Sequence, residues 1–221
     1  EAEPAQGPES FIVAVRLDQL AQGRASRKQF ARAALLFRRA LALREKRYGP
    51  EAPELVDNLC RLATLAQARH QGTQSAALCQ RALSIMEKNY GPDSHEVVNT
   101  LLYFVKDVYP GADGFDRTEP YCRRALAIVE KTHGPDSSEQ LFILDALIGL
   151  YLAQRWHIQA EPLLQRSLNI QEKLHGPEAQ ELVPLLDLLA GLYDDQALFA
   201  QAEPLYQRAL AICEKALGPD H

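Results

Sequence analysis

The sequence predicts an all-α chain, a right-handed α-α superhelix of five helix-turn-helix repeats. Three observations predict it: a fixed period, helical spacing of apolar residues inside each period, and a composition that favours helix. Gly-Pro stands at Gly7-Pro8, Gly49-Pro50, Gly91-Pro92, Gly134-Pro135, Gly176-Pro177 and Gly218-Pro219, so successive copies lie 42, 42, 43, 42 and 42 residues apart. In the second period Leu55, Leu59, Leu62, Ala63 and Ala66 fall at i, i+4, i+7, i+8 and i+11, one face of an α-helix. In the fifth, Leu182, Leu186, Leu189, Ala190 and Tyr193 repeat those offsets. The chain is rich in Ala, Leu, Glu and Gln, which favour helix, and sparse in the strand formers Val, Ile and Thr.

Each period reads as helix A, a turn, helix B and a stop. This gives a single solenoid over residues 1–221 with repeats at about 10–50, 51–92, 93–135, 136–177 and 178–219. Asp93 with Glu96, and Asp136 with Glu139, are spaced as capping boxes that would open helix A. Small residues recur where helices must approach: Ala33, Ser75, Thr118, Ala160 and Ala202 open helix B, and Ala40, Ala82, Ala125, Ser167 and Ala209 follow seven residues later. Between A and B runs a column of Phe30, Phe115 and Phe199, replaced by His157 in the fourth repeat and Gly72 in the second. Helix B carries an Arg-Ala-Leu or Arg-Ser-Leu block at Arg39, Arg81, Arg124, Arg166 and Arg208, then a Glu-Lys pair, as in Glu45-Lys46 and Glu214-Lys215. The closing Gly is placed as a left-handed helix stop, and the Pro prevents continuation.

The third repeat has one extra residue and a breaker-rich stretch, Tyr109-Pro110-Gly111-Ala112-Asp113-Gly114. Pro110 is expected to end helix A early and the turn to be distorted or longer, as a tailored binding loop or a tolerated insertion. The sequence stops at Asp220-His221, where a sixth repeat would begin, with no polar capping helix after the last helix B. The outer face there is expected to be partly apolar and exposed. The expectation is that the protein continues, or that this end pairs with a second copy as a homo-oligomer.

Net charge is -5 and the sequence pI about 5.7, a poor basis for nucleic-acid binding, which needs clustered Lys and Arg. No run reaches the roughly 18 apolar residues of a membrane helix; the most apolar stretch, Leu182 to Tyr193, is broken by Pro184 and Asp187. Cys60, Cys79, Cys122 and Cys213 show neither metal nor redox spacing. Cys79 and Cys122 share the helix-B position of Phe37, Leu164 and Tyr206 and are read as buried free thiols, which points to a reducing, cytoplasmic compartment. The six histidines form no metal motif, and His133 and His175 alternate with Tyr48, Tyr90 and Leu217 in what reads as a packing column. No phosphate loop or nucleotide fingerprint occurs. The sequence therefore predicts no catalytic residue, no metal and no cofactor. Trp156, beside the fourth A–B turn, either anchors a partner or packs that turn against the next repeat.

The small-and-large pattern resembles tetratricopeptide repeats. The 42-residue period, the A-E-P-L-x-Q-R-A-L-x-I-x-E-K block of Ala202–Lys215 and the closing G-P-D-H resemble the long-repeat subtype of kinesin light chains. The resemblance implies a tetratricopeptide solenoid whose concave groove is lined by helix A and binds a protein or peptide. With the apolar stripe of helix A inward, the opposite flank holds Val15, Asp18 and Gln22; Asp57, Cys60 and Thr64; Asn99, Leu102 and Lys106; Phe142, Asp145 and Gly149; Pro184, Asp187 and Gly191, extended by Asp194 and Asp195. The kinesin-light-chain pattern L-N-N-L-A places a peptide-contacting Asn at positions held here by Gln19, Arg61, Tyr103, Ala146 and Leu188, so no Asn ladder exists. The expected partner-binding residues are Asp18, Gln19, Asp57, Arg61, Asn99, Tyr103, Lys106, Phe142, Asp145, Asp187 and Asp194. The acidic flank favours a basic or mixed peptide. Gly149 and Gly191, inside helices, leave room for a ligand backbone or for close packing. Two other classes compete with the interaction scaffold: a self-assembling module, and the regulatory array of a larger enzyme or signalling ATPase.

Overall fold

The computed structural model describes residues 8–109 and 115–217; residues 1–7, with Gly7 of the first Gly-Pro pair, the stretch 110–114 and the closing Gly218 to His221 lie outside them. Among the described residues there is no strand. The helices are α1 (Pro8–Ser26), α2 (Phe30–Tyr48), α3 (Val56–Ala68), α4 (Gly72–Tyr90), α5 (His95–Tyr103), α6 (Phe115–His133), α7 (Leu141–Ala153), α8 (His157–His175), α9 (Val183–Asp195) and α10 (Phe199–Leu217). Odd helices are the A members and even helices the B members of the repeats. The fold is the all-α helix-turn-helix repeat fold. Single 3-10 turns, Pro53–Leu55, Ser138–Gln140 and Gln180–Leu182, lead into α3, α7 and α9.

The chain forms two compact units, divided between Tyr121 and Cys122, so that α6 begins in one and ends in the other. In the first unit α1 packs on α2, α2 on α3, α3 on α4 and α4 on α5. The core that results joins Phe37 and Leu41 to Leu55, Leu59, Leu62, Cys79, Phe104 and Tyr109. In the second unit α7 packs on α8, α8 on α9 and α9 on α10, burying Leu144, Leu147, Leu164, Leu168, Leu182, Leu186 and Leu189. Each such leucine contributes about 1.5–3 kcal/mol by leaving water.

The two kinds of turn exchange the roles expected of them. Four of the A helices, α1, α3, α7 and α9, end in a Schellman motif whose left-handed residue is not glycine: Lys28 (φ 58°), His70 (58°), Arg155 (57°) and Ala197 (58°). The next N–H reaches back five residues, from Gln29 to Arg24 O (2.9 Å), Gln71 to Ala66 O (2.9 Å), Trp156 to Tyr151 O (2.8 Å) and Leu198 to Tyr193 O (2.9 Å). At the Gly-Pro stops the expected left-handed cap does not form. Gly49, Gly91 and Gly176 have φ of 90°, 91° and 91° but extended ψ of 163°, 155° and 164°. The following proline ring disfavours a compact ψ in the residue before it, and the resulting combination is open essentially to glycine alone.

The expected capping boxes are also corrected. Ser94, not Asp93, caps α5, accepting from Val97 N at 3.4 Å. Asp136 makes no cap and pairs with Lys173 Nζ at 2.5 Å. That pairing belongs to a ladder between successive B helices. Arg81 lies 2.6 Å from Glu45 and donates to Pro50 O at 3.0 Å. Arg166 lies 2.5 Å from Glu130 and donates to Pro135 O at 2.7 Å. Arg208 lies 2.5 Å from Glu172 and donates to Pro177 O at 2.8 Å. Lys88 and Lys215 likewise pair with Glu51 and Glu178. The Arg, Glu-Lys and Gly-Pro-acid features of the sequence are thus one device that, within each unit, sets the second repeat on the first, the fourth on the third and the fifth on the fourth.

The extra residue of the third repeat is taken up at the end of α5, while the turn at 110–114, expected to be distorted or longer, lies outside the described residues. Residues 104–108 wind as a π turn at the end of α5, closed by Tyr109 N to Phe104 O at 2.9 Å. Tyr109 and Phe115 are then separated like Tyr151 and His157, or Tyr193 and Phe199. The wider turn exposes both Lys106 and Asp107 while Val108 and Tyr109 stay buried. Tyr109 is held from several sides: Ser75 Oγ donates to its hydroxyl at 3.3 Å, Thr118 Oγ1 donates to its carbonyl at 3.3 Å, and the Arg117 guanidinium lies 5.8 Å over its ring. Arg117 also explains Gly72. A Cβ there would come within 2.6 Å of Arg117 Nη1, so the guanidinium fills the space that an aromatic ring takes in other repeats.

Urea denaturation tests this geometry in two ways. Gly91→Ala is expected to cost about 1–3 kcal/mol, whereas His70→Gly is expected to gain about 0.5–1 kcal/mol by relieving a left-handed non-glycine residue. Deleting Asp107 is expected to leave one cooperative transition, because the π turn can relax to an α turn. Deleting Leu65 from α3, which has no spare residue, is expected to destroy it.

Candidate protein-interaction surface

The helix-A flank differs between the two units. In the first, Gln19, Asp57, Asn99 and Lys106 are exposed and Arg61 and Tyr103 half-buried. Their charges are largely spent on one another: Arg61 Nε lies 2.8 Å from Asp57 Oδ2 and its Nη1 donates to Gln22, while the Tyr103 hydroxyl sits 3.4 Å from Thr64 Oγ1. Asp18 corrects the acidic-flank expectation. It is held by Arg44 at 2.5 Å and by Asn58 Nδ2 at 2.8 Å, in a half-buried network that leaves it no free charge. Cys60, read as a flank residue, is buried, because this side of α3 contributes to the core shared with Phe104 and Tyr109.

The second unit carries free carboxylates. Phe142, Asp145, Asp187 and Asp194 are all exposed, as is Asp195. Among the described residues Asp145 and Asp187 have no ion-pair or hydrogen-bond partner. Asp145 is lifted above the ordinary carboxylate range by the desolvation its surroundings impose, although its side chain still reaches solvent. Asp194 accepts from the Tyr206 hydroxyl at 3.0 Å, and this bond, with Asp187 and Asp195 nearby, pushes the Tyr206 pKa up. A Cβ added at Gly149 would meet no atom within 4 Å, and at Gly191 only the Tyr206 hydroxyl at 3.9 Å. Close packing therefore does not account for Gly149.

Asp145 and Asp187 occupy the same position in successive repeats, as do Gly149 and Gly191. The second unit thus presents D-x-x-x-G twice in register, on α7 and α9. Such a face can accept cations or peptide N–H groups at the carboxylates and admit a main chain at the glycines.

The four cysteines are free, and Cys60, Cys79 and Cys122 are buried. Burial raises the Cys60 thiol and lifts Cys79 to about 11. Among the described residues no group of three or more His, Cys, Asp or Glu could hold a metal ion. His133 and His175 stand exposed at helix ends, as do Tyr48 and Tyr90, so that column faces solvent and does not pack. Trp156 stacks on Tyr151 of its own hairpin, with ring centroids 6.1 Å apart, and stays 43% exposed. Among the described residues no helix is long and apolar enough to cross a membrane.

Hairpins that bury one another's stripes and leave helix-A side chains open define a helical-repeat protein. The chain belongs to the tetratricopeptide-repeat family: family models of the tetratricopeptide repeat match residues 13–54, 59–96 and 143–215. Repeats of this family mediate protein–protein interaction and are generally non-catalytic. No curated protein sequence matches the chain. Solved structures share its fold. One is BtubC (BKLC) from P. vanneervenii, 23% identical with a TM-score of 0.63, the match covering 96% of this chain and 84% of that one. Another is a kinesin-light-chain-type protein of Podosopora anserina with nearly identical TPR-like repeats, 19% identical with a TM-score of 0.70, covering 96% and 99%. A point variant of that protein matches at 19% identity and a TM-score of 0.69, with the same coverage.

Thiol labelling at pH 8 tests the burial. Cys213, the partly exposed thiol, is expected to react within minutes and the other three only on unfolding. The raised Cys79 pKa favours the protonated thiol in the fold. Its stabilising effect is present below pH ~9, the unfolded value, and is lost as pH climbs through about 11. Thermal melts are expected to show that decline, and Cys79→Ala to flatten it.

Proposed function

We propose that this chain is a non-catalytic protein-interaction module that binds a basic or mixed-charge peptide segment on the helix-A face of its second unit. The carrying observation is the paired Asp145–Gly149 and Asp187–Gly191 motif, with both carboxylates unpartnered among the described residues and open space at Gly149. A helix-interior glycine costs about 1 kcal/mol relative to alanine, and here no neighbouring side chain requires it. Admitting a peptide main chain supplies a reason. Exposed Phe142 and Leu188 flank the carboxylates and add apolar contact. Asp194 extends the face toward the C-terminal end of α9. In the first unit, Gln19, Asp57, Arg61, Asn99, Tyr103 and Lys106 offer a polar flank of mixed charge of their own.

The test is fluorescence polarisation against 12-residue peptide pools sorted by charge. Lys/Arg-containing pools are expected to bind, Asp/Glu-rich pools to fail. Asp145→Asn with Asp187→Asn is expected to weaken binding at least fivefold and to flatten its salt dependence. Gly149→Ala is the sharper variant: it is expected to raise stability by about 1 kcal/mol while lowering affinity. Equal binding by acidic pools, or affinity indifferent to all three substitutions, would remove this face from consideration.

A further inference from the structure

The A–B turns of the second unit carry an exposed apolar strip that the fold does not ask for. Trp156 is 43% exposed, Ile158 81% and Leu198 40%. The two turns lie side by side, since His157 Nε2 at the start of α8 sits 3.6 Å from Asp195 Oδ2 at the end of α9. Positions matching Trp156 in the first two repeats hold Gln29 and Gln71, and those matching Ile158 hold Ala31, Thr73 and Asp116. Stacking of repeats does not cover this edge. The fourth repeat is followed by a fifth, yet Trp156 and Ile158 remain open, and Ala31, Thr73 and Asp116 are exposed as well. Leu198 shares the register of Trp156, which stays open beside a following repeat, and of Gln29 and Gln71, which are half-buried. Phe199 is excluded from the strip, because its counterpart Phe115 is buried.

The charge around the strip selects its occupant. Asp194 and Asp195 border it, with Asp187 a short way along α9, against Arg155 in the turn itself. The balance is negative. Apolar anchors rimmed by carboxylates match an amphipathic helix whose apolar face is bordered by Lys and Arg. An anionic lipid surface would be repelled. We propose that the A–B turn edge formed by Trp156, Ile158, Leu198, Asp194 and Asp195 is a second interaction surface, docking a basic amphipathic helix of a partner protein. It adjoins the Asp145–Gly149 face at Asp194 and differs from it in its apolar anchors Trp156, Ile158 and Leu198.

Trp156 is the single tryptophan of the chain, so its emission reports the surface directly. The probe is an 18-residue Trp-free peptide of Leu and Lys, with Leu at helical spacing. A saturable blue shift is expected. Ile158→Asp and, independently, Leu198→Asp are expected to weaken binding at least tenfold, and Asp194→Asn with Asp195→Asn at least fivefold with a flatter salt dependence. A Leu/Glu peptide of the same pattern is expected to cause no shift. All these side chains are exposed, and unchanged urea midpoints confirm that the variants fold. Absence of a blue shift, a shift untouched by both apolar-to-Asp variants, or an equal response to the Leu/Glu peptide overturns the proposal. Asp145→Asn with Gly149→Ala is expected to leave binding unchanged. If that pair abolishes binding while Ile158→Asp does not, the helix-A face is the site and this edge is not.

Discussion

A helical hairpin cannot shield its own apolar stripe, and every other feature of this chain follows from the way its neighbours do so. Leu59 and Leu62 of α3, with Leu55 just before it, leave water only because α2 lies on one side of them and α4 on the other. Burial at about 1.5–3 kcal/mol per leucine supplies the stability. It does not by itself set the angle or register at which one hairpin meets the next. That falls to polar contacts of low individual worth. The B-helix ion pairs are largely exposed, and pairs of that kind are worth about 0–1 kcal/mol each. Their value lies in geometry. Arg81, Arg166 and Arg208 each reach a proline carbonyl 31 residues back as well as a glutamate, and those carbonyls are aimed by a glycine conformation that other residues avoid. Apolar area gives the energy, and the ladder gives the period.

This division of labour explains what the sequence made legible. Periodicity reports burial, so helix existence, order and facing could be read, as could the burial of Cys79 and Cys122. Details decided by competition between local contacts could not. A Gly before Pro looks like a left-handed cap until the proline's demand on the preceding ψ is counted. Asp93 has the spacing of a cap but Ser94 takes the position, and Asp136 is drawn away by Lys173. Asp18 lies on the expected flank, yet Arg44 and Asn58, from two other helices, neutralise it. The ladder itself was visible as recurring Arg, Glu-Lys and Gly-Pro-acid signals. What one sequence lacked was the fact that residues 31 and 37 apart would meet.

The third repeat shows how strongly Tyr109 is constrained. A surface loop would accept an inserted residue at little cost. Here the insertion sits inside α5 as a π turn, and Tyr109 keeps the depth and spacing to the next helix that Tyr151 and Tyr193 have. Moving the extra residue into the turn would displace Tyr109 from Ser75 and from the Arg117 guanidinium that fills the place of a side chain at Gly72. A widened helical turn whose two extra-exposed residues are Lys106 and Asp107 is the cheaper solution, since neither has to leave water.

Internal repetition also supplies a standard against which exposed residues can be judged. Stacking dictates what lies inward, so matching inward positions converge on Leu, Ala and small residues. Outward positions are released from that demand, and polar residues ordinarily fill them. Where they depart from this, the fold offers no reason. Trp156 and Ile158 stand where earlier repeats have Gln71 and Thr73, and Asp145 and Asp187 share the column of Asp18, Cys60 and Leu102 but lack the partners that hold Asp18. Both sets fall in the second unit: unpaired carboxylates beside a helix-interior glycine with no neighbour within 4 Å, and large apolar side chains exposed on a turn. These are the residues on which the two proposed surfaces of the second unit rest.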